Sequence, residues 1–192
     1  PTGAFTTGAI HLKSNVNLHL ADGAILKFST NPADYPLAFT RWEGVECMNY
    51  SPLIYAFEQE NIAITGSGVL DGQSTHDNWW DWNDHNTDRA LRKQVPDRKK
   101  LMEMGDNNVP VAERIFGQGT LLRPNFIQPY RCHNVLIEGV TITNSPMWEI
   151  NPVLCKNLTI KGVTINSYGP NNDGCDPESC QDVLIEGCTF AT

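Results

Sequence analysis

The chain of 192 residues contains no long hydrophobic run. Asn, Gly and Lys interrupt each apolar stretch after a few residues, whereas a membrane-spanning helix needs roughly 18 or more consecutive apolar residues. The first residues, Pro1 to Phe5, also lack a methionine, a basic stretch and an apolar stretch, so no secretion signal is recognisable. We therefore expect no membrane partner, and the compartment has to be inferred indirectly.

Positive charge is also in short supply, since the formal net charge is −8. Phosphate backbones are bound by basic surfaces, so this balance argues against a nucleic-acid partner. It does not exclude an acidic polysaccharide, because exposed charges more than about 8–10 Å apart are screened and a local cationic site can act alone. The composition, with 40% hydrophobic and 19% charged residues, is typical of one folded domain.

The six cysteines lack the short paired spacings, such as C-x2-C, that hold zinc. We predict no metal and no cofactor. A chain of this size also has no need of a disulfide framework for stability. The interpretation we favour is that the cysteines act as small hydrophobic side chains in the core.

One phrase of nine residues recurs along the chain. It occupies Asn134–Ile142, Asn157–Ile165 and Asp182–Phe190, at offsets of 23 and 25 residues, and weaker copies lie at Asn61–Val69 and Asn15–Ile25. Repeats with periods of 20–50 residues indicate a solenoid.

Within each phrase, apolar and polar residues alternate, Val, Ile and Thr are frequent, and a Gly precedes a second short run. This pattern is typical of two short strands joined at a corner, and no apolar spacing characteristic of helices occurs. Aligning the phrases also aligns three cysteines and three prolines: Cys132, Cys155, Cys180, Pro129, Pro152 and Pro177. We therefore predict an all-β fold, a parallel β-helix that forms one domain over residues 1–192.

The repeat pattern stops between residues 73 and 121. This segment contains a tryptophan cluster, Trp79, Trp80 and Trp82, and then a stretch with helix-forming residues interrupted by Pro96. We predict an insertion with one or two short helices that packs on the coil through the tryptophans. Its basic residues form either a solvated helical face or a surface that steers an acidic sugar chain. They are Arg89, Arg92, Lys93, Arg98, Lys99 and Lys100.

Asp173 is the most informative candidate for a functional residue, since it lies in the polar, turn-rich passage Gly169–Pro177. Carboxylates carried by loops on a rigid scaffold are good catalytic candidates. The repeat alignment places Asp173 in one column with Trp148 and Asn125, on neighbouring coils about 4.8 Å apart, and acid, aromatic and amide together suit a sugar. The alternative is that the passage only closes a turn through side-chain hydrogen bonds.

The passage from Pro170 to Pro177, with the coil that follows it, resembles the Asn-Thr-Asp-Gly motif of the polygalacturonase family of glycoside hydrolases. Phrases at 7–15, 71–72, 122–127 and 144–148 are also similar to that family. The resemblance implies a right-handed parallel β-helix of the pectin-lyase-like type that acts on a pectic polysaccharide or oligosaccharide. The sequence departs from the motif in having Asn172 where the family has Thr.

The resemblance implies that Asp173 helps to activate water in an inverting hydrolysis of α-linked galacturonic acid. Candidate substrate-binding residues are Trp148, Asn171, Asp176, Arg123 and Arg41. The family's Asp-Asp, Gly-His-Gly and Arg-x-Lys motifs are absent from the sequence. One repeat beyond Asp173 falls just past Thr192, so we expect the acid pair there, in the remainder of the protein's own chain. The domain is then incomplete at both ends, and this chain alone is expected to be inactive.

Several functional questions stay open at this point. The 73–121 insertion favours exo action if it closes one end of the groove, and the resemblance implies a secreted or periplasmic protein. The alternatives are a rhamnogalacturonan hydrolase, a non-catalytic β-helix that binds polysaccharide, and a calcium-dependent lyase that cleaves by elimination.

Overall fold

The computed structural model describes residues 1–83, 88 and 91–192, and in it the chain winds through successive coils of short strands. Two long parallel sheets run along the stack of coils. The first contains β1 (Gly3–Thr7), β4 (Ala24–Phe28), β9 (Val69–Asp71), β12 (Thr141–Thr143), β14 (Thr164–Asn166) and β16 (Thr189–Ala191). The second contains β3 (Asn17–Leu20), β8 (Glu60–Gly66), β11 (His133–Glu138), β13 (Lys156–Lys161) and β15 (Gln181–Glu186).

A third parallel sheet completes each coil. It contains β2 (Ile10–His11), β7 (Ile54–Phe57) and β10 (Ile127–Tyr130). Single parallel bridges continue it from Ile127 to Ile150 and from Ile150 to Cys175. Three stacked parallel sheets of this kind form a right-handed parallel β-helix, as the sequence predicts.

The pairing of strands confirms the register that the repeats predict. Val135 pairs with Leu158, and Leu158 pairs with Val183. The pairs on the first sheet also follow the repeat, from Ile142 to Ile165. Because a slip of one residue would turn every side chain to the opposite face, this register decides which residues face the core.

The interior of the coils is a continuous apolar core. Its columns are filled by side chains that are at most 5% exposed: Ile62, Ile64, Val135, Ile137, Ile142, Leu158, Ile160 and Ile165. Cys132 and Cys155 lie buried in the same core, and all six cysteines are free thiols. The cysteines therefore act as small hydrophobic residues, and burial of the columns is the main favourable term in the free energy of folding.

An asparagine ladder fixes the corner before the second sheet. Asn15, Asn61, Asn134 and Asn157 all have φ between 54° and 65°. Their side-chain amides bond from coil to coil over 2.7–2.9 Å. Asn tolerates the left-handed backbone conformation better than most residues, so the recurring Asn serves both the turn and the stack. Asp182 takes this position in the last coil, with φ 54°.

An antiparallel hairpin, which the repeat analysis does not predict, projects from the coils. It is formed by β5 (Leu37–Trp42) and β6 (Val45–Tyr50). Glu43 and Gly44 connect the strands with φ of 43° and 86°, and positive φ at both central residues is typical of a tight type I′ turn.

The segment 73–121 contains one α-helix and two short 3-10 helices among its described residues. Helix α1 is Val95–Asp106, and the 3-10 turns are Trp79–Trp82 and Val111–Glu113. Arg89, one of the basic residues of the predicted insertion, lies outside the described residues. In the part of the chain that the structure describes, no helix is long and apolar enough to cross a membrane.

The asparagine ladder leads to a test at Asn134, which donates to Asn61 and accepts from Asn157. Asn134→Gly keeps the backbone conformation accessible and removes two hydrogen bonds, so we expect the free energy of unfolding to fall by about 1–2 kcal/mol. Asn134→Ala removes the same hydrogen bonds but, unlike glycine, keeps a Cβ in the left-handed region. We expect it to lose roughly 1 kcal/mol more than Asn134→Gly. Urea unfolding of both variants measures the difference. Equal losses would show that the backbone conformation contributes nothing to the ladder.

Candidate functional site

The loop that carries Asp173 connects β14 to β15, and Asn172 anchors it. The side-chain oxygen of Asn172 accepts hydrogen bonds from the Ser167 hydroxyl (2.6 Å) and the Gly169 amide (2.8 Å). Its side-chain nitrogen donates to the carbonyls of Ser145 (3.1 Å) and Met147 (3.0 Å) on the preceding coil. Asn172 is 6% exposed, and these bonds satisfy its amide in the core. A threonine, as in the family motif, has no amide nitrogen and cannot donate both of these hydrogen bonds to the preceding coil.

Arg123 holds the same loop from the opposite side. It is fully buried and donates to the carbonyls of Pro146 (2.7 Å) and Pro170 (2.6 Å). It also donates to the side-chain oxygens of Gln94 (3.1 Å) and Asn171 (2.8 Å). The sequence suggests Arg123 as a substrate contact, but the structure places it under the surface, where its guanidinium binds protein acceptors instead of a sugar.

Asn171 and the insertion complete this support. The Oδ1 atom of Asn171, whose φ is 56°, also accepts from the Asn83 amide at 2.5 Å. The Trp80 indole donates to the Ser145 carbonyl at 2.8 Å, and a Cβ added at Gly169 would lie 2.3 Å from the Trp80 ring. The insertion therefore packs directly on the loop, with Gly169 leaving the room for Trp80.

Asp173, Trp148 and Asn125 occupy equivalent positions on three neighbouring coils. The amide of Phe126 donates to the Trp148 carbonyl at 2.9 Å, and that of Glu149 donates to the Asp173 carbonyl at 3.2 Å. Asp173 is exposed, Trp148 is half-buried, and Asn125 is buried. Exposure therefore rises along the column from Asn125 to Asp173, which lies on the last coil of this chain.

A network of amides lies beside this column. The side-chain oxygen of Asn151 accepts from Asn125 (2.8 Å) and Gln128 (2.7 Å). Its nitrogen donates to the Asp176 carbonyl (2.8 Å) and to a Glu178 carboxylate oxygen (2.9 Å). Asp176 is in the column of Gln128 and Asn151, as predicted, and these bonds hold its backbone in place.

Asp176 is half-buried, and one of its carboxylate oxygens makes no hydrogen bond to the described residues. Burial, and then the charges of Asp173 and Glu178, raise the pKa of Asp176 to about 7. Its carboxyl group therefore exchanges a proton near neutral pH, beside the exposed Asp173.

Arg41 reaches the edge of this region from the hairpin. It lies 3.3 Å from a Glu178 carboxylate oxygen and 3.6 Å from one of Glu46, and its side chain is 16% exposed. The pair with Glu178 connects the hairpin to the coil that carries Asp173, whereas Glu46 lies on the neighbouring strand of the hairpin itself. Contact with a substrate, which we predict from the sequence, would require the sugar to compete with both.

Glu149 is a residue that the sequence reasoning misses. It follows Trp148 and is fully buried, and neither of its carboxylate oxygens has a hydrogen-bond partner within the described chain. Burial, with smaller contributions from the charges of Asp176 and Asp173, raises the pKa of Glu149 to about 9, although the nearby Ser167 hydroxyl and the main-chain amide of Glu149 oppose the shift. Glu149 is therefore protonated at neutral pH. The repeat alignment already contains the signal for this residue, since it places Glu149 in one column with Phe126 and Gly174, where a carboxylate is unexpected.

The site thus presents one exposed carboxylate on a clamped loop, one half-buried carboxyl group that titrates near neutrality, and an aromatic side chain one coil away. Such a set fits proton transfer to and from water at a sugar. Within the described residues, no group of three His, Cys, Asp or Glu side chains could hold a metal ion.

Comparisons with known proteins agree with this geometry. The family model described as glycosyl hydrolases family 28 matches residues 116–192. An exo-poly-alpha-D-galacturonosidase of Dickeya chrysanthemi is 39% identical over 80 residues, which are 38% of this chain and 13% of that protein. A probable polygalacturonase of Vitis vinifera is 28% identical over 198 residues, which are 98% of this chain and 33% of that protein.

Solved structures include a hyperthermoactive exopolygalacturonase from Thermotoga maritima. It is 54% identical, with a TM-score of 0.93, over 98% of this chain and 43% of that one. The family 28 exopolygalacturonase of Yersinia enterocolitica is 24% identical, with a TM-score of 0.71, over 100% of this chain and 37% of that one, and supports the fold alone.

The fold is a right-handed parallel β-helix, and residues 116–192 match the model of glycosyl hydrolases family 28. Over nearly its whole length, the chain is similar to polygalacturonases. It spans less than half the length of the relatives described above.

The buried Glu149 predicts how stability depends on pH. Its pKa is 4.5 in ordinary surroundings and about 9 in the folded protein, so the native state binds the extra proton between these values. The contribution of Glu149 to stability is therefore fully present below pH 4.5 and is lost as pH rises towards 9. Glu149→Gln removes this dependence, so we expect the variant to gain on wild type by about 1.4 kcal/mol per pH unit within that window.

Urea unfolding at pH 4.5 and pH 8 measures this relative gain. Glu60→Gln, which removes an exposed carboxylate at the start of β8, is the matched control and should follow wild type. Parallel pH dependences of wild type and Glu149→Gln would show that Glu149 does not change its charge state on folding.

Proposed function

We propose that the full-length protein hydrolyses α-linked galacturonic-acid bonds in pectin, with Asp173 as a catalytic carboxylate. The observation that carries this proposal is the exposure of Asp173 on a loop that Asn172 and Arg123 hold rigidly. Polygalacturonase relatives support the substrate class. Preorganised groups contribute most to catalysis when the fold has already fixed their positions.

In the proposed inverting mechanism, a water oxygen attacks the anomeric carbon and gives its proton to Asp173. The glycosidic oxygen receives a proton from a general acid as its bond to the anomeric carbon breaks. The two carboxyl groups of such enzymes stand roughly 6.5–9.5 Å apart, which leaves room for the water. Asp176, with its pKa near 7, lies beside Asp173 and would tune the charge around the water.

The general acid is proposed to lie on a further coil of the full-length protein, in an Asp-Asp pair after Thr192. Two features support a further coil. The relatives are longer than this chain, and β15 and β16 expose the side chains of Val183 (39%), Ile185 (42%) and Phe190 (42%). On the preceding coils, the paired residues Leu158, Ile160 and Ile165 are fully buried.

We also propose exo action on galacturonan and a secreted or periplasmic location. The names of two relatives support exo action, because they are an exo-poly-alpha-D-galacturonosidase and an exopolygalacturonase. The helical segment packed on the Asp173 loop supports it too, since a groove closed at one end admits only a chain terminus. A single small product, monomer or dimer, from the start of the reaction on polygalacturonate would agree with exo action, and an early mixture of oligomers of different lengths would contradict it.

Asp173→Asn tests the catalytic role in the full-length protein. The amide keeps the size of the side chain but accepts no proton from water, so we expect kcat on polygalacturonate to fall by about 10²–10⁴-fold with little change in KM. Release of reducing ends measures the rate.

The control is Asp22→Asn, which removes an exposed carboxylate from a distant turn and should leave kcat unchanged. Equal activity of Asp173→Asn and wild type would remove Asp173 from catalysis. A wild-type protein that binds polygalacturonate without cleaving it would leave the non-catalytic β-helix as the function. Cleavage of rhamnogalacturonan alone would change the substrate.

A further inference from the structure

A cleft of about 650 Å³ lies between the helical insertion and the loop that carries Asp173. Its walls include Gln94 and Arg98 from the insertion, Glu43 from the hairpin turn, and Asn171 from the loop. This volume is within the usual range of small-molecule sites, about 300–1,000 Å³. Pro170 and Asn171, which line the cleft, belong to the same loop as Asp173.

Gln94 has the features of a binding residue. It is 3% exposed and lines the cleft, and its side-chain oxygen accepts from the Arg123 Nε atom at 3.1 Å. Because the guanidinium can only donate, this bond fixes which end of the amide faces Arg123. The amide nitrogen of Gln94 then makes no hydrogen bond to any described residue. This nitrogen therefore remains available to a ligand at the wall of the cleft.

Arg98 adds a positive charge to the same wall. Its Nε atom lies 2.7 Å from a Glu43 carboxylate oxygen, and its side chain is 49% exposed. Its two terminal nitrogens make no hydrogen bond within the described part of the chain, and they are the atoms that bind a carboxylate side by side. Arg92 also lines the cleft and brings a second positive charge.

The opposite wall is polar and rigid. Asn171 is held by Arg123 at 2.8 Å and by Asn83 at 2.5 Å, and both asparagines line the cleft. Amide groups and the Glu43 carboxylate are suitable partners for sugar hydroxyl groups, whereas Arg98 and the Gln94 nitrogen suit an anion. One small ligand combines both requirements, namely a sugar ring that carries a carboxylate.

We infer that this cleft is a subsite for a uronic-acid residue, whose carboxylate is bound by Arg98 and the side-chain nitrogen of Gln94. The inference rests on the proposed function, since it places one sugar of the substrate next to Asp173. It also separates the basic residues of the insertion into two groups. Arg98 faces the ligand, whereas Lys99, the next residue on α1, has a side chain that is 76% exposed and pairs with Glu103.

The experiment measures binding by calorimetry in the full-length protein that carries Asp173→Asn, so that the ligand stays intact. The probes are trigalacturonate and its fully methyl-esterified, uncharged form. Arg98→Gln should raise the Kd for trigalacturonate about tenfold or more, because a charge-assisted bond is lost, and leave the Kd for the methyl ester unchanged. Lys99→Gln removes the same charge one position away and should change neither Kd.

A second variant keeps the inference testable if Arg98→Gln fails to fold. Gln94→Glu preserves the contact with Arg123 and places a negative charge where the ligand's carboxylate would lie, so it should also raise the Kd for trigalacturonate at least tenfold. If the foldable variants bind trigalacturonate like Lys99→Gln, the inference is overturned. Hydrolysis by the protein with an intact Asp173 is scored separately. If the variants change binding as predicted but the protein with an intact Asp173 does not hydrolyse polygalacturonate, only the proposed function is overturned.

Discussion

The main-chain hydrogen bonds between parallel strands of neighbouring coils are the constraint on which the rest of this structure depends. They fix the distance between coils at about 4.8 Å and fix the register, so a residue's column decides whether it faces the core or solvent. Trp148 and Asp173 occupy equivalent positions because Glu149 bonds to the Asp173 carbonyl. The strands therefore determine the arrangement of the site before any side chain contributes.

Arg123 is the point where three separate parts of the chain meet. It bonds to the insertion through Gln94, to the preceding coil through Pro146 and to the loop through Pro170 and Asn171. A buried guanidinium is costly unless acceptors surround it, and here carbonyl and amide oxygens supply them. The loop conformation and the docking of the insertion are therefore energetically linked, although they are distant in sequence.

The sequence predicted most of the fold and part of the candidate site. The repeated phrase predicted the strand pairs, because alternation of apolar and polar residues directly reports which face is buried. It could not predict the β5–β6 hairpin, which lies outside the coil and follows its own turn at Glu43 and Gly44. The burial of Arg123 was also beyond reach, since it depends on contacts between segments that no local pattern specifies. The burial of Glu149 was within reach, because the repeat alignment places it in a core column with Phe126 and Gly174.

The way the insertion is attached has a consequence for how new specificities arise on such a scaffold. The insertion leaves the coil after Asp71 in β9 and returns before Ile127 in β10. It contacts the loop through Trp80 and Asn83, and Gln94 bonds to Arg123, which holds the loop. Strands that precede the insertion pair directly with strands that follow it, since β9 pairs with β12 and β7 pairs with β10. A changed insertion that keeps its contacts with Arg123 and the loop would therefore alter ligand choice while the paired strands keep the geometry of the coils.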